Sequence, residues 1–160
     1  MDIIGFCLFV GIGSTIALDV WVLLVQKLTG IPPTNWGMVG RWIAGMPSGH
    51  LVLRQSDEPI SGGEKVIGWL FHYGVGIAYA GLILLLFGTG FIENPEWFPV
   101  IVVGLVLSTF AGLAILMPGL GGGFFGRLMQ DKMITYGYLI IAHGVFAIAQ
   151  YCFSHVLLTL

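Results

Sequence analysis

In this 160-residue chain, 57% of the residues are hydrophobic and only 9% are charged. Such a chain cannot cover a soluble surface, since soluble domains carry about 25% charged residues. The net charge of −2 and the lack of a basic patch also exclude nucleic-acid binding. The mean hydropathy of +0.96 indicates an integral membrane protein.

Four long apolar segments follow one another along the chain. Each has about 20 or more residues, enough at 1.5 Å per residue to cross a hydrocarbon core of about 30 Å. The first lacks the basic start of a signal peptide, and we expect it to be retained as a membrane helix. The sequence predicts an all-α four-transmembrane-helix bundle, a single domain over residues 1–160, with spans at about 3–26, 66–90, 97–117 and 134–158.

The first connection, residues 27–65, contains the stretch NWGMVGRWIAGM (35–46). Its apolar side chains recur near helical spacing, and Arg41 and Trp42 lie beside them. Tryptophan and arginine suit the lipid headgroup layer. We therefore predict a short interfacial helix after the first span, with a partly ordered loop as the alternative.

The other two connections differ in character. Residues 91–96, FIENPE, predict a tight turn that makes the second and third spans antiparallel neighbours. Residues 118–133 begin PGLGGG, which lacks the GK[ST] ending of a phosphate loop. We expect the third span to end at Pro118, and a re-entrant loop is the alternative.

The charges predict an orientation. The positive-inside rule assigns basic connections to the cytoplasm, so residues 27–65 and 118–133 are expected there and both termini outward. All six basic side chains lie in or beside these two connections: Lys27, Arg41, Arg54, Lys65, Arg127 and Lys132.

Three ionisable side chains from three spans lie at similar depth. Counted from the expected cytoplasmic edge, Asp19 is about 12 Å inward, His72 about 10 Å and His143 about 13 Å. A charge at mid-bilayer costs about 2.5–3.5 kcal/mol and normally faces a partner inside the bundle. We predict that the three converge, with an Asp19–histidine contact. The competing outcome is a protonated Asp19 that donates to Thr15 or to a backbone carbonyl.

Two further polar residues share faces with this group. Thr15 precedes Asp19 by four residues, and Gln150 follows His143 by seven. Together the five candidates suit a proton or ion pathway, a divalent-metal site formed by Asp19, His72 and His143, or a buried network that only fixes helix register. No other cofactor is predicted.

Motifs of soluble enzymes are missing from the sequence. It has no GxSxG, no HExxH and no paired-carboxylate motif. An intramembrane enzyme would need residues that converge only in space, so the sequence gives that interpretation no direct support.

Five stretches, in order, resemble an uncharacterised bacterial membrane-protein family, domain-of-unknown-function family 2938: GIGSTIALDVW, NWGMVGRW, GWLFHYGVGIAYA, LMPGLGGG and AHGVF. The resemblance covers nearly the whole chain. It implies a small four-span protein of the bacterial inner membrane, and it implies no reaction. Besides Asp19, His72 and His143, the loop candidates within these stretches are Asn35, Trp36, Arg41, Met117 and Pro118.

These observations favour ion, proton or small-solute handling through a polar pocket in the cytoplasmic third. Four spans are few for a transporter, so this hypothesis calls for a homo-oligomer in the lipid bilayer. The alternative is a non-catalytic accessory or assembly protein that binds another membrane protein through its small-residue faces. An intramembrane enzyme is the third hypothesis.

Overall fold

The computed structural model describes residues 2–53 and 56–159, and over these ranges it contains helices and no strand. Arg54, one of the basic residues used to predict orientation, lies outside the described residues. The longer helices are named in chain order as α1 (Ile3–Thr29), α2 (Trp36–Gly45), α3 (Gly62–Phe87), α4 (Trp97–Gly119) and α5 (Lys132–Val156).

The predicted all-α fold with four spans is confirmed. Helices α1, α3, α4 and α5 are long and apolar enough to cross a membrane, and they indicate a multi-pass membrane protein. Large apolar side chains project from the bundle, among them Leu85 at 79% exposure. Helix α3 begins four residues earlier than expected because Ser61 and Glu64 form a capping box, each side chain bonding the backbone N–H of the other (3.2 and 2.6 Å).

The expected short helix after the first span is present as α2. Asn35 caps it by accepting a hydrogen bond from the Met38 N–H (3.2 Å). Helix α2 packs directly on α3. A Cβ at Gly40 would collide with the Glu64 carbonyl, and one at Gly68 with the Trp36 carbonyl. Glycine at both positions therefore lets the two backbones touch.

The third connection turns back on the end of α4 close to the expected position. The N–H of Gly122 donates to the Met117 carbonyl (2.9 Å), and that of Gly121 donates to the Pro118 carbonyl (3.0 Å). Met117 and Pro118 thus build the turn that ends α4. Upstream in α4, the segments Ile101–Leu107 and Gly112–Leu116 are wound as π-helix, a form that often occurs at functional sites.

The bundle is packed unevenly along its length. Helix α1 packs along both α3 and α5, and α5 also packs along α4. The closest packing between α3 and α4 is confined to residues 97–107 of α4, so these two predicted neighbours meet at the end opposite α2. There a buried core includes Phe6, Val10, Ile83 and Val103. Toward α2, α3 and α4 are less closely packed, which leaves room for a cavity.

Candidate functional site

Asp19 of α1 and His72 of α3 are in direct contact. The Nε2 atom of His72 lies 2.9 Å from Oδ1 of Asp19. The other carboxylate oxygen, Oδ2, accepts a hydrogen bond from the Tyr73 hydroxyl (3.0 Å). The predicted Asp19–histidine contact is therefore present. Both oxygens of Asp19 are thus bonded to side chains of α3, and the hydroxyl of Thr15 donates to the Gly11 carbonyl of its own helix (2.7 Å). The competing pairing of Asp19 with Thr15 is not found in the described residues.

A close crossing of α1 and α3 brings this pair together. Gly76 lies four residues after His72, and Thr15 four residues before Asp19. Because a Cβ at Gly76 would collide with the Thr15 hydroxyl, only glycine allows this approach. Small residues at such crossings are how membrane helices pack closely. The crossing places Asp19 and His72 one helical turn away, within hydrogen-bond distance.

Helix α2 covers His72 from the side. The Trp36 ring stacks on the imidazole with centroids 3.9 Å apart and an interplanar angle of 22°. Trp42, also on α2, is buried and donates its indole N–H to the Leu51 carbonyl (2.9 Å). Asn35 acts here only indirectly, since its cap fixes the start of the helix that carries Trp36.

Arg41 holds α2 to the start of α3. Its guanidinium donates to both carboxylate oxygens of Glu64 (2.7 and 3.1 Å) and to the carbonyls of Glu58 and Pro59 (3.0 and 2.9 Å). The hydrogen bond with Glu64 raises the pKa of Arg41 above its usual value. The sequence-predicted candidate Arg41 therefore fixes the position of α2 and makes no contact with Asp19 or His72.

His143 has a different partner. Its Nδ1 atom lies 3.0 Å from the hydroxyl of Thr109 on α4. In residues 2–53 and 56–159, no three His, Cys, Asp or Glu side chains lie close enough to hold a metal ion together. The three side chains named as one alternative metal site thus do not form a common cluster in the described residues, because their depths agree while His143 is directed to Thr109.

Gln150 lies away from this group. Its side chain is fully buried against Gly104 of α4, one helical turn beyond Ser108 toward the opposite end. Within the part of the chain that the structure describes, neither Nε2 nor Oε1 of Gln150 has a hydrogen-bond partner. Gln150 lies seven residues, or about two helical turns, after His143 on α5. It is therefore beyond the end of the cavity that His143 lines.

A cavity of about 300 Å³ joins these features. It lies between α1, α3, α4 and α5, with α2 at one end. Thr15, Asp19, His72 and His143 all line it, so both histidines face one space although they are not bonded to each other. Among the described lining residues, Asp19 is the single Asp, Glu, Lys or Arg. Aromatic side chains form much of the remaining wall: Trp36, Trp42, Phe71, Tyr79, Tyr138 and Phe146.

Sequence reasoning missed two contributors to the site. Tyr73 follows His72 directly, and residues one apart on a helix point about 100° away from each other, so periodicity placed them on different faces. Both reach Asp19 because its two oxygens accept from two directions. Thr109 has no ionisable partner close to it in sequence, because its partner His143 is 34 residues away.

Comparison with known proteins gives a family and no activity. Searches of curated proteins and of solved structures found no match. A family described as "Protein of unknown function (DUF2938)" matches residues 8–157. That match includes all the described residues that line the cavity, and the chain belongs to this family.

Proposed function

We propose that this protein handles a small solute in the cavity and links its movement to proton exchange at Asp19 and His72. We place it in a bacterial inner membrane, with both termini outward and α2 on the cytoplasmic side, as the basic residues predict. The observation that carries the proposal is the cavity of about 300 Å³ with the Asp19–His72 pair in its wall.

The size of the cavity favours a small organic solute over a bare ion. Ligand cavities span about 300–1,000 Å³, and this one lies at the lower end. At about 30 Å³ per water molecule it has room for about ten waters, far more than a dehydrated ion occupies. A network that only fixed helix register would need no such space.

The pair in the wall suits proton exchange. Histidine is the side chain whose charge changes most readily near neutral pH, and a carboxylate beside it accepts the hydrogen bond in either state. Tyr73 provides a further donor to Asp19. Intramembrane ionisable residues that face a cavity are typical of proton and solute pathways.

The cavity also reaches the surface of the bundle. Phe71 on α3 and Ile115 on α4 both line it, and 38% and 61% of their surfaces are exposed. They flank the gap where α3 and α4 are less closely packed. A solute dissolved in the bilayer therefore has a lateral route to Asp19 that does not require α2 to move.

The test uses purified protein in liposomes that contain a pH-sensitive dye. Three aromatic solutes are added in turn: phenyltrimethylammonium (cationic), tert-butylbenzene (neutral) and benzenesulfonate (anionic). We expect at least one to drive protein-dependent proton movement that Asp19→Asn abolishes. Gly112→Leu should also abolish it, because Gly112 lines the cavity and a Cβ there meets its neighbours at ordinary distances of 3.6 and 4.0 Å.

Gly74→Leu is the matched control. Gly74 is exposed on α3, and a Cβ there would meet no atom within 4 Å, so the added side chain leaves the cavity unchanged. If the folded wild-type protein moves protons with none of the three solutes, the proposal is wrong and the accessory role becomes the better hypothesis.

A further inference from the structure

We propose that the solute is a small hydrophobic cation and that it exchanges with one proton. This inference rests on the proposed function and names its substrate class. Three features of the cavity carry it: the sign of its charge, the chemistry of its walls and the pairing of Asp19.

The fixed charge in the cavity wall is negative. Asp19 is the one formally charged residue among its described lining residues. The nearest basic side chain on the covering helix, Arg41, is bound to Glu64 and to two carbonyls. An anionic solute would therefore meet a carboxylate and no lysine or arginine, and it would compete with Asp19 for the imidazolium of His72. A cationic solute finds an ion-pair partner in Asp19.

The walls suit a hydrophobic cation in particular. Trp42, Phe71 and Tyr138 reach the cavity from three different helices. Aromatic faces attract ammonium groups within about 6 Å of the ring, and more strongly where water is excluded. The same rings accommodate the apolar part of the molecule. A strongly hydrated inorganic cation would gain little from such walls.

The Asp19–His72 pair supplies the proton. When His72 is protonated, its Nε2–H donates to Asp19 Oδ1 and the pair is neutral as a whole. When an ammonium group reaches the carboxylate, the imidazolium of His72 loses one proton to water, and Asp19 pairs with the solute. One positive charge leaves as one enters, so the cavity stays neutral and avoids the cost of an unpaired buried charge.

The other groups near His72 permit this exchange. On α3, Tyr73 donates to Asp19, and Trp69 is an uncharged neighbour of the imidazole ring. On α2, Trp36 stacks on the same ring and is also uncharged. His143 on α5 faces the same cavity and is hydrogen-bonded to Thr109 on α4. In the described residues, no lysine or arginine lines the cavity to take the place of the solute.

The first experiment compares charge classes on the wild-type protein in nanodiscs. Phenyltrimethylammonium has a fixed charge, and tert-butylbenzene is its neutral isostere, with carbon in place of nitrogen. Quenching of tryptophan fluorescence measures binding, and Gly112→Leu corrects for partition into lipid. We expect phenyltrimethylammonium to bind at least tenfold more tightly than tert-butylbenzene or benzenesulfonate. This comparison needs no variant of Asp19.

The second experiment measures the proton. Calorimetry in two buffers of different ionisation enthalpy should show about one proton released for each phenyltrimethylammonium bound. Asp19→Asn should weaken that binding at least tenfold, while His72→Asn should retain binding and lose the proton release.

The outcomes separate the two proposals. If tert-butylbenzene or benzenesulfonate binds in the cavity and phenyltrimethylammonium does not, the cation inference is wrong and solute handling stands. Cation binding without proton release in the wild-type protein overturns the exchange. If no solute binds and none moves protons, both proposals are wrong.

Discussion

The crossing of α1 and α3 offers a quantitative test of how the site is held together. In Gly76→Ala the new Cβ overlaps the Thr15 hydroxyl and lies 3.0 Å from the Gly11 carbonyl oxygen. The hydroxyl belongs to a β-branched side chain that has few rotamers in a helix, and the Gly11 oxygen belongs to the backbone, so we expect the two helices to separate. Overpacking of this kind costs about 1–3 kcal/mol. Since 1 kcal/mol corresponds to about 2–4 °C in chains of 150–250 residues, we expect the melting temperature in detergent to fall by several degrees.

A second substitution identifies the cause. Thr15→Ala removes the overlapping hydroxyl, and the remaining contacts of the new Cβ are then 3.0 Å to the Gly11 oxygen and 3.4 Å to the Thr15 Cβ. In that background, Gly76→Ala should cost at least about 1 kcal/mol less, a coupling within the range for residues in contact. Gly74→Ala, two residues away with no atom within 4 Å, is the control and should be neutral or slightly stabilising. Equal effects of Gly74→Ala and Gly76→Ala would refute the reasoning.

Two further predictions follow from other parts of the chain. Gln150→Leu should raise the unfolding free energy by about 1 kcal/mol, because it removes buried polar atoms that lack partners; a loss of stability in the same thermal denaturation would mean that Gln150 binds something essential. In a variant without Cys7 and Cys152, a cysteine at Asn94 should react with a membrane-impermeant thiol reagent on intact cells while one at Gln130 should not, and the opposite pattern would reverse the predicted orientation.

The spans could be predicted from sequence because a single physical requirement governs them. Crossing a hydrocarbon layer demands a long apolar run, and the runs around Asp19, His72 and His143 meet that demand in the sequence itself. The predicted ends of the spans were less accurate, since local hydrogen bonds determine where a helix begins and ends. The capping box of Ser61 and Glu64 places the start of α3 four residues earlier in the chain than its hydropathy indicates.

Pairing within the site was predictable only in part. Depth along a helix follows from residue counting, and it brought Asp19 to the level of His72. Rotation about the helix axis does not follow from counting, so the same argument could not separate His72, which bonds Asp19, from His143, which bonds Thr109. The stacking of Trp36 on His72 could not be predicted from the sequence either, because it depends on how α2 packs back onto α3.

The two ends of the bundle are packed differently. Opposite α2, the helices meet in an apolar core that includes Phe6 and Val103. Toward α2, the glycine at position 76 keeps α1 on α3, while α4 diverges and leaves the cavity. Helix α2 then covers part of the opening, held by Arg41 on Glu64 and by the backbone contact at Gly40. The Asp19–His72 pair therefore lies where a close helix contact and an open space adjoin, which gives it both a fixed geometry and a face on the cavity.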